Sequence, residues 1–321
     1  MIKVERYTEQ YKKIWNFFVD DSNNATFLLN RAYLDYHKSK FQDHSLLFYK
    51  NNTLVAVLPA SEHGVEVRSH GGLTYGGIIF STQMNIPLLI EIILEAARYY
   101  LDHGFKTLLY KEIPLIYHAH PSGEEAYVLF RANAKLISRS PSSFIALSEY
   151  QFPNKKLGGV RKAIKNGLNV KIEGLSASVM NLVDANLKMR YKISAVHSVE
   201  EMELLSGSFP KNIKIFNLYS KDSNLIGGAV IYESKMVAHA QYLVVNDLAR
   251  SQRGMDLLIY TLIQFYSESK KYFDFGISSE DDGMKLNESL YKQKNEYGSY
   301  VVNYDQYIVN FKEMLMTFVK R

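Results

Sequence analysis

Residues 212–246 read "NIKIFNLYSKDSNLIGGAVIYESKMVAHAQYLVVN". Apolar runs rich in Ile, Val and Tyr are broken by two turn signals, Lys221–Asn224 and Glu233–Lys235, so three consecutive strands are predicted. Links this short join antiparallel neighbours, which makes the stretch a meander. A helix is predicted at about 253–270, then the strand "YFDFGIS" (272–278), a helix near 284–295 and a last strand "SYVVNYDQYIV" (299–309). Upstream lie a basic helix, "KKLGGVRKAIKNGL" (155–168), the strand "NVKIEG" (169–174) and helices at about 176–191 and 198–207.

The first half repeats this order. Tyr11, Ile14, Trp15 and Phe18 have helical spacing over 8–20, and a short helix is expected at 28–38. "SLLFYKNNTLVAVLPA" (45–60) is a hairpin signal around Asn51–Asn52. "VEVRSHGGLTYGGIIF" (65–80) alternates but is interrupted by glycines. A strongly amphipathic helix covers 86–103 and is closed by Gly104. The strand "FKTLLYKEI", a helix at 123–134 and the strand "SSFIALSE" complete the half. The shared order predicts two copies of one α+β unit, 1–152 and 153–321, divided near "EYQFPNK".

Composition narrows the function classes. Apolar residues make up 47% and charged residues 22%, the balance of a globular protein. The net charge of +5 favours phosphate-bearing ligands but lacks the dense basic pattern of a DNA-binding protein. The lysines near 154–171 and 285–294 read first as solvated helix faces. There are no cysteines, which excludes disulfides, thiolate nucleophiles and Cys-ligated metals. "YHAHP" (117–121) has two His without an acidic partner at ligand spacing, so no metal is expected. The charged start "MIKVERYTEQYKK" and the Glu-interrupted apolar runs predict a cytoplasmic protein with no membrane span.

The repeated order resembles the GNAT acyltransferase fold, and doubled, it is similar to the Fem-type aminoacyltransferases. "LGGVRKAIKNGLNVKI" (157–172) resembles a Fem-type helix-to-strand entry through Arg161, Lys165, Gly167 and Val170. "YFDFGIS" and "LNESLYKQKNEYG" (286–298) resemble the Fem-type strand "Y-D-F-G" and the later "G-L-x-x-F-K-x-x-F-G". Lys292 and Gly298 are placed on that pattern, while Ser289 and Tyr297 stand where glycine and phenylalanine are usual. The resemblance implies two tandem GNAT-like domains, each a mixed, mostly antiparallel sheet flanked by helices, with the second the active one. It also implies a bacterial, surface-polysaccharide context.

The resemblance directs attention to certain residues. "ARSQRGMDLL" (249–258) follows a strand and opens a helix, the context of a coenzyme pyrophosphate loop. It offers Arg250, Gln252, Arg253 and Gly254, with Asp256 in place of a small residue; the alternative is an ordinary capped helix start. His239, Gln241 and Tyr242 share one strand, where period-2 alternation puts Tyr242 on the face opposite the other two. His239 is a candidate base, and Asp274, in an otherwise apolar strand, is a candidate base or anchor; each also reads as a bonded core residue. Ser278 and Asn287 are expected at the same end of the sheet. In the glycine run, His70 and Tyr75 are expected to contact an acceptor, with Tyr110 and Lys111 extending the wall. Two tight turns would explain the glycines equally simply.

The expected activity is N-acyl transfer from acetyl-CoA, as co-substrate, to the amine of an amino sugar or related glycan precursor by direct attack. A tRNA-dependent aminoacyltransferase and an inert double-GNAT binding protein are the alternatives.

Overall fold

A computed structural model describes residues 1–36, 38–174 and 177–319. The expected helices 28–38 and 176–191 each include a position outside that range, residues 37 and 176. The chain divides into two compact units: Met1–Pro141 with Ser279–Leu286 and the chain from Val302 onward, and Ser142–Ser278 with Asn287–Val301. The sequence pattern suggests a single break at 152. In the structure the C-terminal strand Tyr300–Asn310 counts with the first unit from Val302 onward, and its residues Gln306–Asn310 pair with Thr107–Lys111. Local periodicity carries no information about such a long-range pairing.

In the first unit, the antiparallel strands Ile2–Arg6, Leu46–Lys50, Thr53–Leu58 and Ile79–Phe80 lie side by side. The hairpin turns at Asn51 and Asn52, both with positive φ, as a tight two-residue turn demands. The helix Ile86–Asp102 is capped by the Asn85 side chain on the Leu88 amide at 3.0 Å. Its buried face, Leu89, Ile92, Ile93, Ala96 and Tyr100, packs on Leu46, Phe48, Ala56 and Phe80. The glycine run is strand only at its ends, Glu66–Arg68 and Ile79–Phe80.

In the second unit, the sheet order is Ser142–Ala146 (the end of the Lys135–Ala146 strand), Tyr272–Ile277, Val237–Val245, Leu225–Glu233, Ile213–Tyr219, Asn169–Glu173. Every neighbouring pair is antiparallel except Val237–Val245 with Tyr272–Ile277. The predicted meander is thus present, its third strand leading through two helices to a parallel return. The helices Asn154–Lys165 and Gly254–Tyr266 cover one face, burying Val160, Ala163, Leu258 and Leu262 with Phe216, Ile231 and Phe273. On the other face Val179, from the helix Ala177–Tyr191, stands against Gly228, where a Cβ would meet it at 3.2 Å. The chain is α+β, with mixed, mostly antiparallel sheets flanked by helices. Among the described residues no helix is long and apolar enough to cross a membrane.

Candidate active site

The parallel pair sets the site. Val237, Ala238 and His239 pair with Tyr272, Phe273 and Asp274, and there the pairing stops. The strand Val237–Val245 runs on for six residues, Ala240 to Val245, with no strand on that side among the described residues. Its other edge bulges at the same point: Ile231 pairs with Ala240 but Val230 with Tyr242, leaving Gln241 as the extra residue. A bulge bends a strand and increases its twist, and this one falls where the parallel pairing stops.

The bulge corrects the expected alternation. His239 pairs with Tyr232 and Tyr242 with Val230, two residues apart on one strand. His239 and Tyr242 therefore share a face. Tyr242 is not aimed at His239; its hydroxyl bonds to Nδ1 of His197 at 2.8 Å. Burial raises its pKa above the usual phenol value.

His239 and Asp274 stand opposite each other where the strands part. Nδ1 of His239 is 2.9 Å from Oδ2 of Asp274. Asp274 is 0% exposed, and its Oδ1 accepts from the Ser142 hydroxyl at 2.6 Å and the Gly276 amide at 2.9 Å. An ionised carboxylate only accepts, so Nδ1 carries the hydrogen and the neutral ring keeps its lone pair on Nε2. Nε2 has no protein hydrogen-bond partner among the described residues, and the side chain is 22% exposed. Gly276 has φ +81, a left-handed turn that glycine adopts without strain, and this turn aims its amide back at Asp274.

Lys294 fixes that turn. Its ammonium donates to the carbonyls of Gly276 at 2.7 Å and Ile277 at 2.8 Å. Burial lowers its pKa to about 8, against the pull of Asp274. The sequence reading chose Lys292, which is exposed. The resembled pattern puts its lysine three residues before the aromatic–glycine pair, and counting back from Tyr297–Gly298 reaches Lys294. Lys294 was missed although the spacing points to it, and nothing local to Ser142 reveals its bond to Asp274.

The loop at 249–254 is mostly internal framework. Arg253, at φ 66, binds Asp256 at 2.7 Å, and Asp256 also accepts from Tyr297 at 2.7 Å with Lys156 at 3.6 Å. Asp256 is compensated rather than left to repel an anion. Gly254 is buried, and a Cβ there would meet Leu218 at 2.8 Å, so the residue serves close packing. Arg250 reaches the Val245 carbonyl at 3.3 Å and Asp247 at 3.0 Å, while Gln252 ends the short helix Asp247–Ser251. Arg250 and the first-turn amides of Gly254–Tyr266 remain the groups suited to an anion at the end of the open strand edge.

The other expected contacts are dispersed. Asn287 caps its helix through the Leu290 amide at 3.1 Å and gives its own amide to the Ser278 carbonyl at 2.9 Å. The Ser278 hydroxyl is buried without a hydrogen-bond partner among the described residues. Arg161 is exposed on the helix Asn154–Lys165. In the first unit, Lys111 donates to the Leu73 carbonyl at 2.7 Å and the His70 carbonyl at 3.3 Å. Tyr110 accepts from the Ile78 amide at 2.8 Å and donates to Glu125. Tyr75 bonds Thr26 at 3.1 Å, and His70 is buried. These side chains tie the glycine run down from within.

No family model and no curated relative matches the chain. Solved structures do. The crystal structure of FemX matches with a TM-score of 0.70 at 10% identity, over 99% of this chain and 100% of that one. L-PGS from Bacillus licheniformis matches at 0.61 with 14% identity, over 98% and 97%. A tandem GNAT protein from the clavulanic acid biosynthesis pathway matches at 0.55 with 9% identity, over 97% and 99%. The fold is the doubled GNAT-like fold, similar to that of FemX.

Proposed function

We propose that the chain is an acyltransferase whose catalytic unit is the second one. His239, oriented by Asp274, takes the proton of an acceptor as it attacks an activated acyl group lying between the parted strands. The observation that carries this reading is the coincidence of the 2.9 Å His239–Asp274 pair with the point where the parallel strands separate. The open edge Ala240–Val245 suits an extended, amide-bearing donor, which can hydrogen-bond there as a strand would. Its phosphates would lie toward Arg250, Gln252 and the amides opening Gly254–Tyr266. An acyl-CoA, with acetyl-CoA the first to try, meets this description. Positioning and proton removal together supply the rate. The acceptor that fits the sequence reading is an amino sugar or related surface-glycan precursor.

A second donor, aminoacyl-tRNA, is favoured by the exposed basic side chains Lys155, Arg161, Lys162 and Lys165 on one helix and by the sequence resemblance to the Fem-type aminoacyltransferases. One titration separates the two. The melting temperature is followed with acetyl-CoA, CoA, a nucleotide control and tRNA. A saturable rise with CoA species, reduced in Arg250→Ala, supports the first reading. A response to tRNA alone moves the assignment to the second. Arg253→Ala is the poorer probe, because it strips the buried Asp256 of its closest cation.

A further inference from the structure

Resting on the acyltransferase reading, the geometry points to a neutral hydroxyl, not an ammonium-forming amine, as the group that His239 activates, so that the product is an ester. A protonated amine is drawn into a site by an anion free to meet it. Asp274 does not offer one: it is 0% exposed, and His239, Ser142 and Gly276 already occupy its two oxygens. The other buried carboxylates of this unit are engaged elsewhere, Asp256 by Arg253 at 2.7 Å and Glu233 by Tyr266 at 2.9 Å. The charge of Asp274 is, moreover, offset by a cation close by. Lys294 lies close enough to Asp274 to feel its field and is held by the two carbonyls that follow it. A protonated amine arriving there meets no uncompensated anion to replace the water it leaves.

A hydroxyl meets no such penalty but has a different need. A free amine attacks without prior help, whereas an alcohol must lose its proton as it attacks. An imidazole backed by a buried carboxylate is the side-chain pair suited to that task. His239 Nε2, with no protein partner among the described residues, is placed to accept. The oxygen lone pair forms the C–O bond to the acyl carbon, and the hydroxyl proton passes to Nε2. The carbon–sulfur bond of the acyl thioester then breaks with its electron pair on sulfur. That thiolate takes the proton back from Nε2, leaving a free thiol, an ester and neutral His239.

The test uses the purified protein, acetyl-CoA and three acceptors at high concentration: glucosamine, N-acetylglucosamine and ethanolamine. Released CoA is counted, and the product, separated from acetyl-CoA, is challenged with alkaline hydroxylamine, which cleaves oxygen esters and spares amides. N-acetylglucosamine, its amine blocked, is expected to be acetylated at least as fast as glucosamine, with a hydroxylamine-labile product. His239→Ala is expected to lose that ester by a factor of ~10² or more. A hydroxylamine-stable product from glucosamine or ethanolamine, with none from N-acetylglucosamine, overturns the hydroxyl inference and leaves the acyltransferase reading standing. No CoA release with any acceptor overturns the acyl-CoA reading, and this inference with it.

Discussion

Nδ1 of His239 and Oδ2 of Asp274 meet at 2.9 Å across the last paired position of two parallel strands. The bond fixes both the ring plane and the tautomer. Asp274→Asn preserves shape and can still accept from Ser142 and Gly276 through its remaining oxygen. Its amide, however, donates toward His239, so the lone pair moves to Nδ1 and Nε2 carries hydrogen. Acyl transfer is expected to fall by a factor of ~10²–10⁴, while the melting temperature moves little. Comparable turnover in the variant and the parent would remove the dyad from the mechanism.

Lys294 and Lys292 make a matched pair for mutagenesis. Lys292 is exposed, so Lys292→Ala is expected to leave stability and turnover unchanged. Lys294→Met removes the cation holding the Gly276 and Ile277 carbonyls and should loosen the turn that feeds Asp274. The lysine also has a pH signature. Its folded pKa is about 8, below the ordinary 10.5, so the unfolded chain binds its proton more tightly. Below about 8 both states are charged and the burial cost is present in full. Between about 8 and 10.5 the folded state sheds the proton first, and stability rises with pH, by roughly 3 kcal/mol at most. Urea melts at pH 7.5 and 10 should show a rise in the parent that is smaller in Lys294→Met. An equal rise in both would assign it elsewhere, with Lys111, also near 8 through burial, as the next candidate.

Glu112 carries the opposite sign. Burial, with the Asp305 charge, raises its pKa to about 7, and Arg139 only partly opposes this. The folded state therefore binds the proton more tightly than the unfolded chain does. The stabilisation is complete below about 4.5 and is lost as pH rises through about 7, an effect of roughly 3 kcal/mol at most. Glu112→Gln, uncharged throughout, is expected to flatten the stability profile between pH 5 and 8. A variant with the parent's slope there would place the titration on another group.

The elements were legible in sequence because their signals are local. Asn51–Asn52 marked its hairpin, Gly104 closed the long first-half helix, and the 212–246 meander led to the right sheet. His239 and Asp274 stood out as polar residues in apolar strands, and a buried polar group must find a partner. Three things were not legible. The bulge at Gln241 depends on cross-strand register, and it reversed the side on which Tyr242 lies. The Ser142 contact spans 132 residues. Arg253 read as a ligand-loop residue and Asp256 as a departure from that loop, because spacing does not reveal that the two charges pair with each other.

The glycine run illustrates the same limit and allows a decisive substitution. Its polar residues suggested a wall, yet the backbone explains the glycines. Gly76 donates its amide to the Lys111 carbonyl at 2.9 Å, and a Cβ there would overlap the Ser69 carbonyl oxygen, a backbone atom that cannot swing aside. Ser69 is in turn held by the Lys111 amide at 2.8 Å. Gly76→Ala therefore forces apart two segments that Lys111 clamps together and is expected to cost about 3 kcal/mol. Gly123→Ala is the control. A Cβ at Gly123 meets nothing within 4 Å, and its φ of −110 is open to alanine, so the change should be near neutral. Thermal melts of the two variants compare them directly. If Gly76→Ala melts with the parent and only loses acceptor binding, the run is a ligand wall after all.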